Sequence, residues 1–113
     1  ADIMIPQIYY GFENSAAPYQ STLDEWDALA KQGGIPLIAG LSVSKVGCED
    51  TWAGSGKYEW VNNSDIISRQ AAAAKKCSSY GGIALYSYRS VFQPESSVSK
   101  QVKKEITALR DIL

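Results

Sequence analysis

Glu13 closes a run, Gln7-Ile8-Tyr9-Tyr10-Gly11-Phe12, that turns from apolar to polar and aromatic, and Asn14 follows it. A strand that finishes on Gln, two Tyr, Glu and Asn has an end that faces something. Two later clusters have the same make-up. One joins Ser42, Ser44 and Lys45 to the loop residues Glu49, Asp50, Trp52, Glu59 and Trp60; the other is Tyr86, Tyr88 and Arg89. Aromatic rings beside carboxylates, amides and cations suit sugars: the apolar face of a pyranose stacks on Trp or Tyr, and its hydroxyls need amides, carboxylates and Arg. Cleaving a glycosidic bond takes two carboxylates flanking it, one acid and one base or nucleophile. Glu13 is the best-placed acid, with Asp50 and then Glu49 as weaker catalytic candidates; Asn14 and Lys45 are candidate substrate contacts beside them.

Each of these residues also has a plain structural reading. Tyr9 and Tyr10 suit a strand for their β propensity alone. Glu13 reads equally as a solvated turn residue, Trp52 and Trp60 as anchors pinning a long loop, Lys45 as a surface charge, and Arg89 as the partner of a neighbouring acid. Trp26 falls on a helix stripe and reads as core. Lys75–Lys76 and Lys103–Lys104 read as solvated helix faces. Gly54-Ser55-Gly56 lacks the Lys-Ser/Thr of a phosphate cradle and reads as loop.

Three strand-then-helix units would position the clusters. The first strand spans Ile3 to Tyr10, apolar enough to be covered on both faces. A helix from about Leu23 to Gln32 follows, with Thr22 and Glu25 as a capping box, Gly33–Gly34 as the stop, and Leu23, Trp26, Leu29 and Ala30 as the stripe. The second strand is Pro36 to Ser44. After an irregular loop, a helix from Ser64 to about Cys77 turns Ile66, Ile67, Gln70, Ala73, Ala74 and Cys77 inward. The third strand is Gly82 to about Arg89, and the last helix, Ser97 to Leu113, carries Val98, Val102, Ile106, Leu109 and Leu113 on one face. The expected fold class is α/β: one domain, residues 1–113, of three consecutive βα units with a parallel sheet. Sites in such folds form at the C-terminal ends of the strands, where all three clusters fall. Three units leave two open sheet edges. A closed (β/α)8 barrel takes roughly 250 residues, so the chain looks like three-eighths of a TIM barrel or a small open sheet that needs a partner.

Composition excludes other classes. The 113 residues suffice for one domain. The net charge of −1 gives no footprint for nucleic acid or an anionic membrane. No stretch approaches the ~20 apolar residues that span a bilayer. The opening Ala-Asp-Ile-Met-Ile-Pro-Gln has no basic signal-peptide region and starts inside a strand pattern, as an excised or processed piece would. There is no histidine, which removes the commonest general base and metal ligand. Cys48 and Cys77 are too far apart in sequence for a CxxC zinc motif and read as free thiols, Cys77 on a core-facing helix side; a disulfide between them stays open. No cofactor or metal is expected.

The ordered set "IMIPQIYYGFEN", "APY", "LIAGLSVSKVG", "DTWAGSGKYEW", "SDIISRQ" and "GGIALYSYRSVF" resembles the C-terminal part of the glycosyl hydrolase-like family 10 proteins, over about Asp2 to Pro94. These are bacterial (β/α)8-barrel enzymes, often secreted or surface-attached, that act on glycosidic bonds in polysaccharide or cell-wall glycan. The resemblance implies that the three strands are the last three of a barrel, and that Gln7, Tyr9 and Glu13 contact a carbohydrate substrate. Trp52, Trp60 and Tyr88 would stack on it, and Arg89 would bind a hydroxyl or carboxylate. It also implies an extracellular or cell-surface location. The family's first five strand–helix units are absent from this chain, and with them a catalytic carboxylate usually found on an earlier strand. The chain alone is therefore expected to be inactive, and to self-associate as a homo-oligomer or pack against the missing N-terminal part of the barrel.

Overall fold

The computed structural model describes residues 2–113. In chain order its elements are α1 (Tyr19–Gly33), β1 (Leu37–Ser42), α2 (Glu59–Asn62), α3 (Ile66–Lys75), β2 (Tyr80–Tyr86), α4 (Tyr88–Phe92) and α5 (Ser99–Ile112), with 3-10 turns at Val43–Lys45 and Gly54–Gly56.

Pro18 sets the start of α1. Its fixed φ is already helical, and its carbonyl accepts the Thr22 amide (3.1 Å) and the Thr22 hydroxyl (2.9 Å). Thr22 therefore lies inside the helix and does not cap it, which corrects the expected capping box. Gly34 ends α1 in the left-handed conformation, φ 63°, where a Cβ would be strained. The buried stripe is Tyr19, Leu23, Asp27 and Ala30, with Trp26 partly buried against the core and Leu29 outward. Asp27 belongs to it because its carboxylate accepts the Ser79 amide (3.2 Å) and the Ser79 hydroxyl and pairs with Lys31 at 3.3 Å.

β1 and β2 form a two-stranded parallel sheet, with Leu37 opposite Tyr80 and Ser42 opposite Tyr86. The fold is thus mixed α/β with a parallel sheet, as expected. The Ile3–Tyr10 segment lies along the other side of β1 but joins it only through isolated parallel bridges, Met4 to Leu37 and Gln7 to Gly40. Pro6, between them, has no amide to donate, which interrupts a regular ladder. The third strand ends at Tyr86 and not at Arg89. There the Ser87 hydroxyl accepts the Ser90 amide (3.4 Å) and caps α4, a helix the sequence pattern did not indicate.

Ile8, Leu37, Ala39 and Leu41 join Tyr19, Leu23, Ile66, Ile67 and Ala71 in one core. The alternating residues Ile3, Ile5 and Ile38 stay outside it; Ile3 is 50% and Ile5 52% exposed. The first segment is therefore covered on one face only, because α1 and α3 both pack on the opposite face and α5 packs on α3. The loop expected to be wholly irregular contains α2, which places Trp60 in the core. On α5, Val102 and Leu109 of the expected stripe are buried, Val98 and Ile106 pack partly against the core, and Leu113 is exposed past the end of the helix; between Val102 and Leu109, Glu105 is buried too. Its carboxylate accepts the Ile66 amide (3.1 Å) and the Ile67 amide (2.9 Å), covering the first turn of α3 from outside that helix.

Candidate functional site

β1 ends at Ser42, and the following 3-10 turn swings Lys45 back over the strand ends. Its Nζ donates to the Tyr9 carbonyl, pairs with Asp50 Oδ2 at 3.2 Å, and lies 5.8 Å from the centre of the Tyr10 ring. One cation thus ties together the end of the first segment, the turn after β1 and the Trp52 loop. The Ser42 and Ser44 hydroxyls are 2.9 Å apart. Across the strand ends the Tyr9 and Tyr86 rings meet, centroids 5.6 Å apart and tilted by 32°. Burial, then the neighbouring Tyr86, pushes the Tyr9 hydroxyl above its ordinary pKa, so it stays a protonated hydrogen-bond donor.

Beyond this pair the surface is aromatic. Tyr86 is 53% exposed, and Tyr88 packs on Phe92 with ring centres 4.8 Å apart while remaining 73% exposed. Trp52 is 88% exposed on a turn closed by the Ala53 amide donating to the Asp50 carbonyl (3.0 Å). An apolar ring held in water by a rigid turn has gained nothing from folding. Arg89 borders a cleft of about 350 Å³ between the Val43–Gly47 turn and α4–α5, with Ser44, Gln93 and Glu95 beside it.

The structure separates the remaining candidates. The Gln7 side chain is exposed on the uncovered sheet face, next along the segment from Ile5. Glu13 is exposed, and its carboxylate has no hydrogen-bond or ion-pair partner among the described residues. Asn14 is buried, and its side-chain oxygen accepts the Ala16 (3.0 Å) and Ala17 (2.9 Å) amides, which commits it to its own turn. Trp60 is 1% exposed and packs in the core, so the anchor reading describes it. Asp50 is mostly covered and engaged by Lys45. Lys45, Asp50, Tyr9 and Tyr10 are therefore brought together, Tyr88 and Arg89 follow on α4, and Trp52 and Glu13 sit on the bordering loops.

One contributor, Phe92, escaped the sequence reading, and Glu59, which was read as a member of the loop cluster, has a different role from the one its place there suggested. Phe92 is one turn from Tyr88, a spacing that could have signalled it. Glu59 is buried and accepts the Phe12 amide (3.0 Å) and the Glu13 amide (2.9 Å); nothing local marks that role. Both cysteines are free thiols. Among the described residues, no group of three or more His, Cys, Asp and Glu could hold a metal ion, and no helix is long and apolar enough to cross a membrane. Compared with known proteins, the chain matches no family model, no curated protein and no solved structure.

Proposed function

We propose that the chain is the carbohydrate-recognising part of a glycoside hydrolase-like protein that acts on polysaccharide or cell-wall glycan. The observation that carries the reading is the aromatic surface at the C-terminal ends of the parallel segments: Tyr9 against Tyr86, Tyr88 against Phe92, and Trp52 standing in water. Such faces suit pyranose rings, and Glu13, Arg89 and Gln7 supply exposed polar groups around them. In a parent enzyme, Glu13 would act as the acid, since its carboxylate is exposed and unengaged. Asp50 is the weaker partner because Lys45 holds it. What supports a barrel of which these are three units is the parallel order, the open sheet edges and the uncovered face with Ile3 and Ile5; further parallel strands would cover all of these. A surface or extracellular location, and association through those edges, belong to the same proposal.

A non-catalytic binding module is the second reading, and the Lys45–Asp50 pair favours it. A carboxylate locked to a cation at 3.2 Å is poorly placed to act with Glu13 as the flanking pair that hydrolysis requires. Titration with soluble gluco-, xylo- and chito-oligosaccharides, followed by tryptophan fluorescence, tests recognition; release of reducing ends tests cleavage. Binding with no release supports the module. Binding with release that Glu13→Gln abolishes supports the hydrolase. No response to any sugar rejects both.

A further inference from the structure

Glu59 has the attributes of a fourth site carboxylate in sequence, close to Trp60 and Trp52, yet its side chain is directed inward. Its two oxygens are spent on two successive backbone amides, Phe12 at 3.0 Å and Glu13 at 2.9 Å, across 47 and 46 residues of sequence. The rest of that contact is equally close. The Ser15 amide (2.9 Å) and hydroxyl (3.2 Å) both donate to the Ala53 carbonyl. A Cβ on Gly56 would collide with the Glu13 carbonyl, so that glycine marks close approach of two backbone segments, and a Cβ on Gly11 would collide with Glu59 Oε1, so that glycine leaves room for the Glu59 side chain. The far side of the loop is closed by the Asp50 amide donating to the Lys57 carbonyl (2.8 Å). The turn that carries Glu13 and the loop that carries Trp52 are thus fastened to each other, while the Glu13 carboxylate and the Trp52 ring remain in solvent.

We propose that Glu59 is a positioning residue. Its buried carboxylate holds the Glu13 turn against the Trp52 loop, so that Glu13 and Trp52 meet a glycan as one unit. The inference rests on the carbohydrate reading above. Two acceptor oxygens are required and not merely shape. A carboxylate accepts two amides at once, whereas a Gln side chain in the same place would turn its own NH2 toward one of them. A displacement of about 1 Å in a positioned group can cost ~100-fold in the step it serves, so the tether has a functional consequence without touching substrate.

The test is amide hydrogen exchange of the intact chain by NMR, joined to titration with gluco-, xylo- and chito-oligosaccharides. In the wild type the Phe12 and Glu13 amides should exchange at least ~100-fold more slowly than an open turn would. Glu59→Gln should remove that protection and weaken the sugar response roughly tenfold or more. Glu13→Gln should weaken the response while leaving both amides protected. Combining the two should cost little beyond Glu13→Gln alone, because both act on one contact. Fast exchange of these amides in the wild type, a measurement that needs no variant to fold, would overturn the tether. So would Glu59→Gln losing protection while keeping wild-type affinity. A wild type that protects both amides yet binds none of the sugars would reject the carbohydrate reading, and with it the role drawn here, while leaving the tether itself established.

Discussion

Replacing Glu105 probes how α5 holds α3 and, through α3, the core beneath the strand ends. The residue is fully buried, and among the described residues its carboxylate is the one partner of the Ile66 and Ile67 amides, at 3.1 and 2.9 Å. Glu105→Ala would leave two buried amides unpaired, at about 1–3 kcal/mol each, and open a void as well, so a loss of about 3–5 kcal/mol is expected. That is a large part of the ~5–15 kcal/mol that holds a domain of this kind. Glu105→Gln is the more informative change: it keeps the volume and one acceptor and should cost about 1–2 kcal/mol. Its pH dependence follows from the direction of the Glu105 pKa. Burial raises it above the ordinary glutamate value; the Ile67 and Ile66 amides pull it down, Asp65 raises it and Arg69 lowers it, and burial prevails. The folded chain therefore holds this proton more tightly than the unfolded chain. The associated stability is complete below the unfolded value, ~4.3, and is lost as pH rises through the higher folded value. Gln has no such dependence. In urea unfolding at stepped pH, the advantage of wild type over Glu105→Gln should shrink from about pH 4 upward. An advantage that grows with pH would mean that the two amides outweigh burial, and would refute the reasoning.

Asp27 should behave in the opposite sense. Burial raises its pKa, but the Ser79 hydrogen bonds and Lys31 outweigh burial and hold it below the usual carboxylate range. Its stabilisation is present above the unfolded value and lost as pH falls through the folded one, so Asp27→Asn should flatten the acid limb of the stability profile. Gly47→Ala should cost about 2–4 kcal/mol by urea midpoint, from the positive φ and from overpacking; φ there is 78° and the added Cβ would lie 2.6 Å from Val98 Cγ1. The two loop tryptophans should part company in thermal melts. Trp60→Ala should cost about 3–5 kcal/mol as a core truncation, and Trp52→Ala less than about 0.5 kcal/mol as a surface change.

The layout of the chain was readable where the signal was local. Gly34 stopping α1, Gln70 turning inward on α3, and Val102 and Leu109 on the buried side of α5 all follow from spacing and turn chemistry. The two paired strands were found, with ends shifted by a few residues. The boundaries that moved were set by single residues whose influence outweighs propensity: Pro18 starts α1 before the Thr22–Glu25 pattern, Pro6 breaks the ladder of the first segment, and Ser87 opens α4. Site residues on strand ends were legible as a group, because Tyr9, Lys45 and Tyr86 do converge. What the sequence could not disclose was which polar residues were already engaged. Glu59 and Glu105 find their amides 46–47 and 38–39 residues away, and Asp50 is engaged by Lys45. Trp52 and Trp60 look alike in sequence, and only the packing of α2 sends one into the core and leaves the other in water.

Calorimetric titration of the intact chain with gluco-, xylo- and chito-oligosaccharides, repeated on a Trp52→Ala/Tyr88→Ala variant, bears most directly on carbohydrate recognition by the exposed aromatic surface. Saturable binding by the wild type is predicted, weakened in the variant by about 0.5–1.5 kcal/mol for each ring removed, with the melting temperature unchanged. No binding to any of the sugars, or equal binding by wild type and variant, would contradict it.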